Sequence, residues 1–108
     1  MTDKTVVLCT CGGDEEARKL ARSLVEDRLA ACVNIVPGIQ SVYRWQGTVE
    51  EAGEALLLIK TSRGLFDQVC DKIRGLHSYE LPEAIALSIE GGSEPYLAWL
   101  ADGLLTKD

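Results

Sequence analysis

The stretch His77-Ser78-Tyr79-Glu80-Leu81-Pro82-Glu83 separates two apolar segments of different period. Before it, Leu65, Phe66, Val69, Cys70, Ile73 and Leu76 recur at the spacing of a helical stripe. After it, Ile85-Ala86-Leu87-Ser88-Ile89 reads as a short strand. Pro82 biases Leu81 away from the helical region, so the helix should stop before that residue. The stretch is therefore a helix-to-strand junction. It holds the only histidine of the chain beside a phenol and three polar neighbours, the groups most able to bind something. A polar connector with a solvated histidine fits the residue types equally well.

Working back toward the N-terminus, Glu54 to Thr61 is a strand with a dense centre, Leu56-Leu57-Leu58-Ile59. Gln46 to Gly53 reads as the loop of a hairpin. Ahead of it, Cys32-Val33-Asn34-Ile35-Val36 opens a strand that Pro37-Gly38 interrupts. Alternation then resumes, with Ile39, Ser41, Tyr43 and Trp45 on one face. A proline cannot donate to a ladder, so this strand should lie at a sheet edge or carry a bulge. Asp14 is placed to cap a helix in which Ala17, Leu20, Ala21, Leu24 and Val25 face inward and Arg18, Arg22 and Glu26 outward. Thr5 to Thr10 is a continuous β-branched and apolar run suited to a central strand. Past the junction, Ser93 can cap a last helix with Pro95 in its first turn and Leu97, Leu100 and Leu104 inward.

The order β-α-β-β-α-β plus a C-terminal helix predicts a ferredoxin-like α+β sandwich, an antiparallel sheet with helices on one face. Residues 1–108 are expected to form a single domain, since 108 residues with 46% hydrophobic content can bury a core. The uncovered sheet face and the aromatic edge bearing Tyr43 and Trp45 are liabilities for a monomer, which predicts a homo-oligomer.

A net charge of −6 with no basic stripe argues against nucleic acid and against an anionic membrane surface. No apolar run approaches the ~18 residues of a membrane span. Met1-Thr2-Asp3-Lys4 leads straight into the first strand without a basic region and a cleavable apolar core, so the expected address is cytoplasmic. The four cysteines would then be thiols.

Five blocks in register carry a resemblance: Leu29-Ala30-Ala31-Cys32-Val33-Asn34-Ile35, Ser41-Val42-Tyr43-Arg44-Trp45-Gln46-Gly47, Lys60-Thr61, His77 through Glu83, and Tyr96-Leu97-Ala98-Trp99-Leu100. Together they resemble the CutA divalent-cation tolerance family over nearly the whole chain. The resemblance implies a ferredoxin-like fold, a cytoplasmic homotrimer and a link to copper and other divalent cations. It also implies a trimer similar in plan to PII-type signalling proteins, which bind small ligands between subunits. The family often has His-Pro-Tyr where this chain has His77-Ser78-Tyr79, and some members place a second histidine where this chain has Leu76. A two-histidine copper site is therefore not carried over. Cys11 is an addition to the family pattern.

Cys9-Thr10-Cys11 places two thiols on one strand face, because side chains alternate. Thiolate and imidazole suit Cu(I) or Zn(II), and an antiparallel arrangement brings the end of the first strand near the start of the fourth. Cys9, Cys11 and His77 are thus the candidate metal ligands, against the plainer reading of Cys9 as a small buried hydrophobe. Cys32 and Cys70 lie in apolar patterns and read as core. Trp45, Lys60, Tyr79, Glu80 and Glu83 are the candidate inter-subunit pocket, against an ion-pair network that holds a trimer. Tyr43 and Trp45 are the candidate trimer contacts. An enzyme is not expected. His77 and Glu80 offer acid–base groups, but no nucleophile has a base beside it in sequence, and Cys11-Gly12-Gly13-Asp14 lacks the phosphate-loop pattern. The leading expectation is a metal-responsive binding protein. The alternative is a PII-like small-ligand sensor.

Overall fold

The computed structural model describes residues 2–105. The elements are β1 (Lys4–Cys11), α1 (Asp14–Glu26), β2 (Cys32–Trp45), β3 (Thr48–Ser62), α2 (Phe66–Leu76), β4 (Ile85–Ser88) and α3 (Glu94–Asp102). A short 3-10 turn, Arg63–Leu65, leads into α2. The sheet order is β2-β3-β1-β4 with every neighbour antiparallel, which is the ferredoxin-like arrangement plus a third helix.

Alternation along β1 and β3 divides their residues between two faces. Thr5, Val7, Cys9 and Cys11 pair across the ladder with Thr61, Ile59, Leu57 and Ala55, and all eight are buried beneath the helices. Ala17, Leu20, Ala21 and Leu24 of α1 close over them, with Val69 and Ile73 of α2 and Leu100 of α3. Val25, expected inward, is 40% exposed. The opposite face carries Val6, Leu8, Leu56 and Leu58, with Ile85 and Leu87 paired beside Leu8 and Val6. No helix covers it.

The long hairpin departs from expectation. Its loop is only Gln46-Gly47, both at positive φ (51° and 83°), a two-residue turn whose twist matches the strands it joins. Thr48 to Gly53, expected as loop, belongs to β3 and pairs with Trp45 back to Gln40. The bulge expected at Pro37-Gly38 is present: Val36 pairs with Leu56 but Ile39 with Glu54, and Gly38 takes φ +71°. The extra residue switches parity along β2, so Ile39, Ser41, Tyr43 and Trp45 join the open side of the sheet.

Caps follow local chemistry. Gly13, not Asp14, is the N-cap of α1, and Asp14, Glu15 and Glu16 form the first turn, where the helix dipole favours anions. Ser93 caps α3 and accepts from the Tyr96 N–H at 3.4 Å. Arg28 sits in the left-handed region (φ 60°), and its carbonyl accepts the Leu105 N–H at 2.9 Å, tying the end of α1 to the chain beyond α3.

Candidate functional site

α2 ends at Leu76, well short of Leu81, so Pro82 is not what stops it. His77 turns extended (φ −78°, ψ 142°) while its N–H still closes the last helical turn onto Ile73 O. That turn aims the imidazole at the end of β1. Nε2 lies 2.6 Å from Thr10 O, and Nδ1 accepts the Tyr79 N–H at 3.0 Å. An acceptor on one side and a donor on the other fix the neutral ring with its proton on Nε2.

Cys9 and Cys11 lie against this ring. The two Sγ atoms and a ring nitrogen of His77 are all within 4.8 Å of one another, and this is the only such grouping of three metal-ligating side chains among the described residues. Both thiols are fully buried and His77 is 9% exposed. Donation from Cys9 lowers Cys11 from the ordinary thiol value, while the same pairing and burial push Cys9 upward. Two thiolate sulfurs and an imidazole form a soft donor set suited to Cu(I) or Zn(II). A nitrogen of His77 becomes available when Nδ1 releases the Tyr79 N–H or Nε2 releases Thr10 O.

Glu16 fastens the junction over this corner. It accepts the Ser78 N–H at 2.6 Å, the Ser78 hydroxyl at 3.2 Å and the Gly12 N–H at 3.3 Å. A proline at position 78 would have no N–H to give. Gly12 leaves room for Tyr79: a Cβ there would stand 3.3 Å from its hydroxyl. The Tyr79 ring packs on His77 at 4.7 Å between centroids, and its hydroxyl donates to Glu54 Oε2 at 2.8 Å. Burial and that bond to an anion both push the Tyr79 hydroxyl above its ordinary value.

Beyond Tyr79 lies a cavity of about 690 Å³ on the open side of the sheet. Of the residues expected in a pocket, Trp45, Tyr79, Glu80 and Glu83 line it. Lys60 does not. It stands opposite Val6 and Cys32, six residues along β3 from Glu54, or about 20 Å at strand rise. Its ammonium bonds to Asn34 Oδ1 instead. Tyr43, read as an edge contact, is in the lining, as are Thr10, Glu50 and Glu54, which the sequence reading missed. Glu54 had one available signal: a lone acid between Gly53 and Ala55 at the open-face parity of an apolar strand. Glu16 had another, an acid at the third helical position, where carboxylates reach back to N-terminal amides.

Fold and corner together define a small ferredoxin-like α+β protein with soft metal-ligating groups at a helix-to-strand junction. The family model described as CutA1 divalent ion tolerance protein matches residues 5–103, and the chain belongs to that family. A divalent-cation tolerance protein CutA of Thermus thermophilus is 52% identical over 97 residues, 90% of this chain and 94% of the relative. A chloroplastic protein CutA of Arabidopsis thaliana is 50% identical over 95 residues, 88% of this chain and 52% of the relative, so the chain spans about half of that protein's length. A crystal structure of CutA1 from Oryza sativa has a TM-score of 0.94 at 44% identity and covers 96% of this chain and 95% of that one.

Proposed function

We propose that this divalent-cation tolerance protein is a non-catalytic, cytoplasmic homotrimer that takes up a soft cation, copper as Cu(I) before other metals, at Cys9, Cys11 and His77. The observation that supports it is the convergence of two thiols and an imidazole within 4.8 Å at a buried corner. The open sheet face supports assembly: Ile85 is 53% and Leu87 52% exposed beside Val6 and Leu8. Tyr43 and Trp45 extend that surface along the hairpin. Among the described residues no helix is long and apolar enough to cross a membrane.

Thiolates must lose protons to bind, so copper affinity should fall with falling pH. Competition with a Cu(I) chelator on the wild type, Cys9→Ser, Cys11→Ser and His77→Ala tests the ligand set. Loss in all three variants supports it. Equal retention in all makes the three residues structural. Zn(II) should bind more weakly than copper. Sedimentation tests assembly, and a stable monomer at micromolar concentration counts against it.

A second reading, a small-ligand sensor, is favoured by one observation, the 690 Å³ cavity against the same junction.

A further inference from the structure

The cavity has a one-sided chemistry. Four carboxylates line it, from Glu50, Glu54, Glu80 and Glu83, and among the described residues of the one chain no lysine, arginine or histidine does. Among the described residues none of these four makes an ion pair. Glu54 is only 8% exposed, and the single bond it accepts is from the neutral Tyr79 hydroxyl. Burial and the nearby charge of Glu54 raise Glu83 above the ordinary carboxylate value. The remaining wall is aromatic, from Tyr43, Trp45 and Tyr79, and the cavity's lining is more apolar than polar.

This is not a metal-ion site. A divalent ion needs oxygens converged to contact distance, and the only set of three such groups among the described residues is the thiol–imidazole corner. Carboxylates dispersed around an aromatic-walled space of this size suit a larger cation with a hydrocarbon body. Rings attract such a cation through their negative faces, and a half-buried carboxylate strengthens the attraction.

From this geometry we infer that the cavity binds an organic ammonium cation, its charge held by Glu54 and Glu83 and its carbon chain lying on Trp45, Tyr43 and Tyr79. The inference rests on the small-ligand reading and gives its ligand class. It does not depend on copper at the corner.

The test uses three four-carbon probes of different charge on the assembled protein: putrescine, butanediol and succinate. Binding is read by calorimetry and by Trp45 fluorescence in a Trp99→Phe background, since Trp99 is on α3, outside the cavity. Putrescine should bind saturably, more weakly at high salt, with butanediol and succinate inert. Glu54→Gln should weaken putrescine about tenfold, the effect of removing roughly one charged contact. Because Glu54 is buried, Glu83→Gln and Glu50→Gln, at exposed positions, guard against a folding defect. Either should weaken binding while the variant still unfolds in one cooperative transition. Equal putrescine affinity in all the carboxylate variants overturns the inference. So does binding of succinate or butanediol in its stead, which leaves the small-ligand reading standing with another class. If no probe binds, both fall for this cavity. Magnesium displacing putrescine in a Glu54-dependent way would make the carboxylates a metal site and also overturn it.

Discussion

Val7, Cys9, Leu57 and Ile59 on the helix side of the sheet are completely buried, while Ile85 and Leu87 on the other side are 53% and 52% exposed. Composition does not separate the two sides, since both are built from aliphatic residues at strand spacing. The helices separate them, by covering one. Each side also carries its own cluster of candidate site residues. The thiols belong to the covered face, and Thr10, Glu54 and the aromatic cavity to the open one. His77 and Tyr79 stand where the two meet. Alternation in sequence thus sorts residues into two groups, and only three-dimensional cover decides which group becomes core, partner surface or ligand wall.

The sharpest way to break this contrast is to trim one leucine from each side. Leu57→Ala leaves a hole under the helices and should cost about 2–5 kcal/mol. Leu87→Ala should cost about 1 kcal/mol or less in dilute solution, with a larger loss at high protein concentration if a second copy covers it. Urea unfolding at two widely separated concentrations measures both. Equal, concentration-independent losses would make the two faces equivalent.

A smaller effect comes from two acids with opposite displacements. Burial tends to raise Glu16, but donors from Ser78 and Gly12 outweigh it and hold its pKa below the ordinary 4.5. The folded chain therefore favours its charged form. The stability it gives is complete above 4.5 and is lost as pH falls through its lowered folded value. Glu83 is displaced upward by burial and then by Glu54. Here the folded chain favours the protonated form, so stability is greatest below 4.5 and declines as pH rises through the raised value. In unfolding measured across the acid range, Glu16→Gln should flatten the lower limb and Glu83→Gln the upper one. If both variants altered the same limb, the carboxylates would not be in the opposed environments described.

The smallest effect is at Thr5, on the covered face. It is 3% exposed, and its hydroxyl is the one buried side-chain polar atom without a partner among the described residues. Replacing an unpaired buried hydroxyl by a methyl of similar shape should stabilise the chain, by about 1 kcal/mol for Thr5→Val. A loss of stability in thermal unfolding would show that the hydroxyl has a partner after all.

The fold was legible in the chain because its signals are local. The run from Thr5, the stripe from Ala17 to Leu24 and the Ser93 cap each announce an element within one or two turns. The outer half of the hairpin was not legible. Thr48 to Gly53 carries Glu50 and Glu51 and has no covered face, so nothing apolar alternates there, and the strand is imposed by the Gln46-Gly47 turn and by pairing with β2. The thiol pair was legible, since two residues apart on a strand means one face. The cavity was only partly so. Which acids meet depends on the β1–β3 register and on the junction folding back over β3, and no spacing in sequence encodes either. Within one chain the same register places Lys60 at the far end of the strand from these acids.

The two-residue turn also bears on the order of assembly. β2 and β3 close outward from Gln46-Gly47, so each of their pairings joins residues already held near one another, and little chain entropy is lost at each step. β1 is the first strand made and is the last that can be completed, because it must enter between β3 and β4, whose partners Leu58 and Ile85 lie far along the chain from Leu8. The hairpin with α1 packed on it is therefore the expected folding nucleus and β4 the closing step. Conservative truncations at Ile35 should slow refolding, whereas truncation at Leu87 should speed unfolding and leave refolding nearly unchanged.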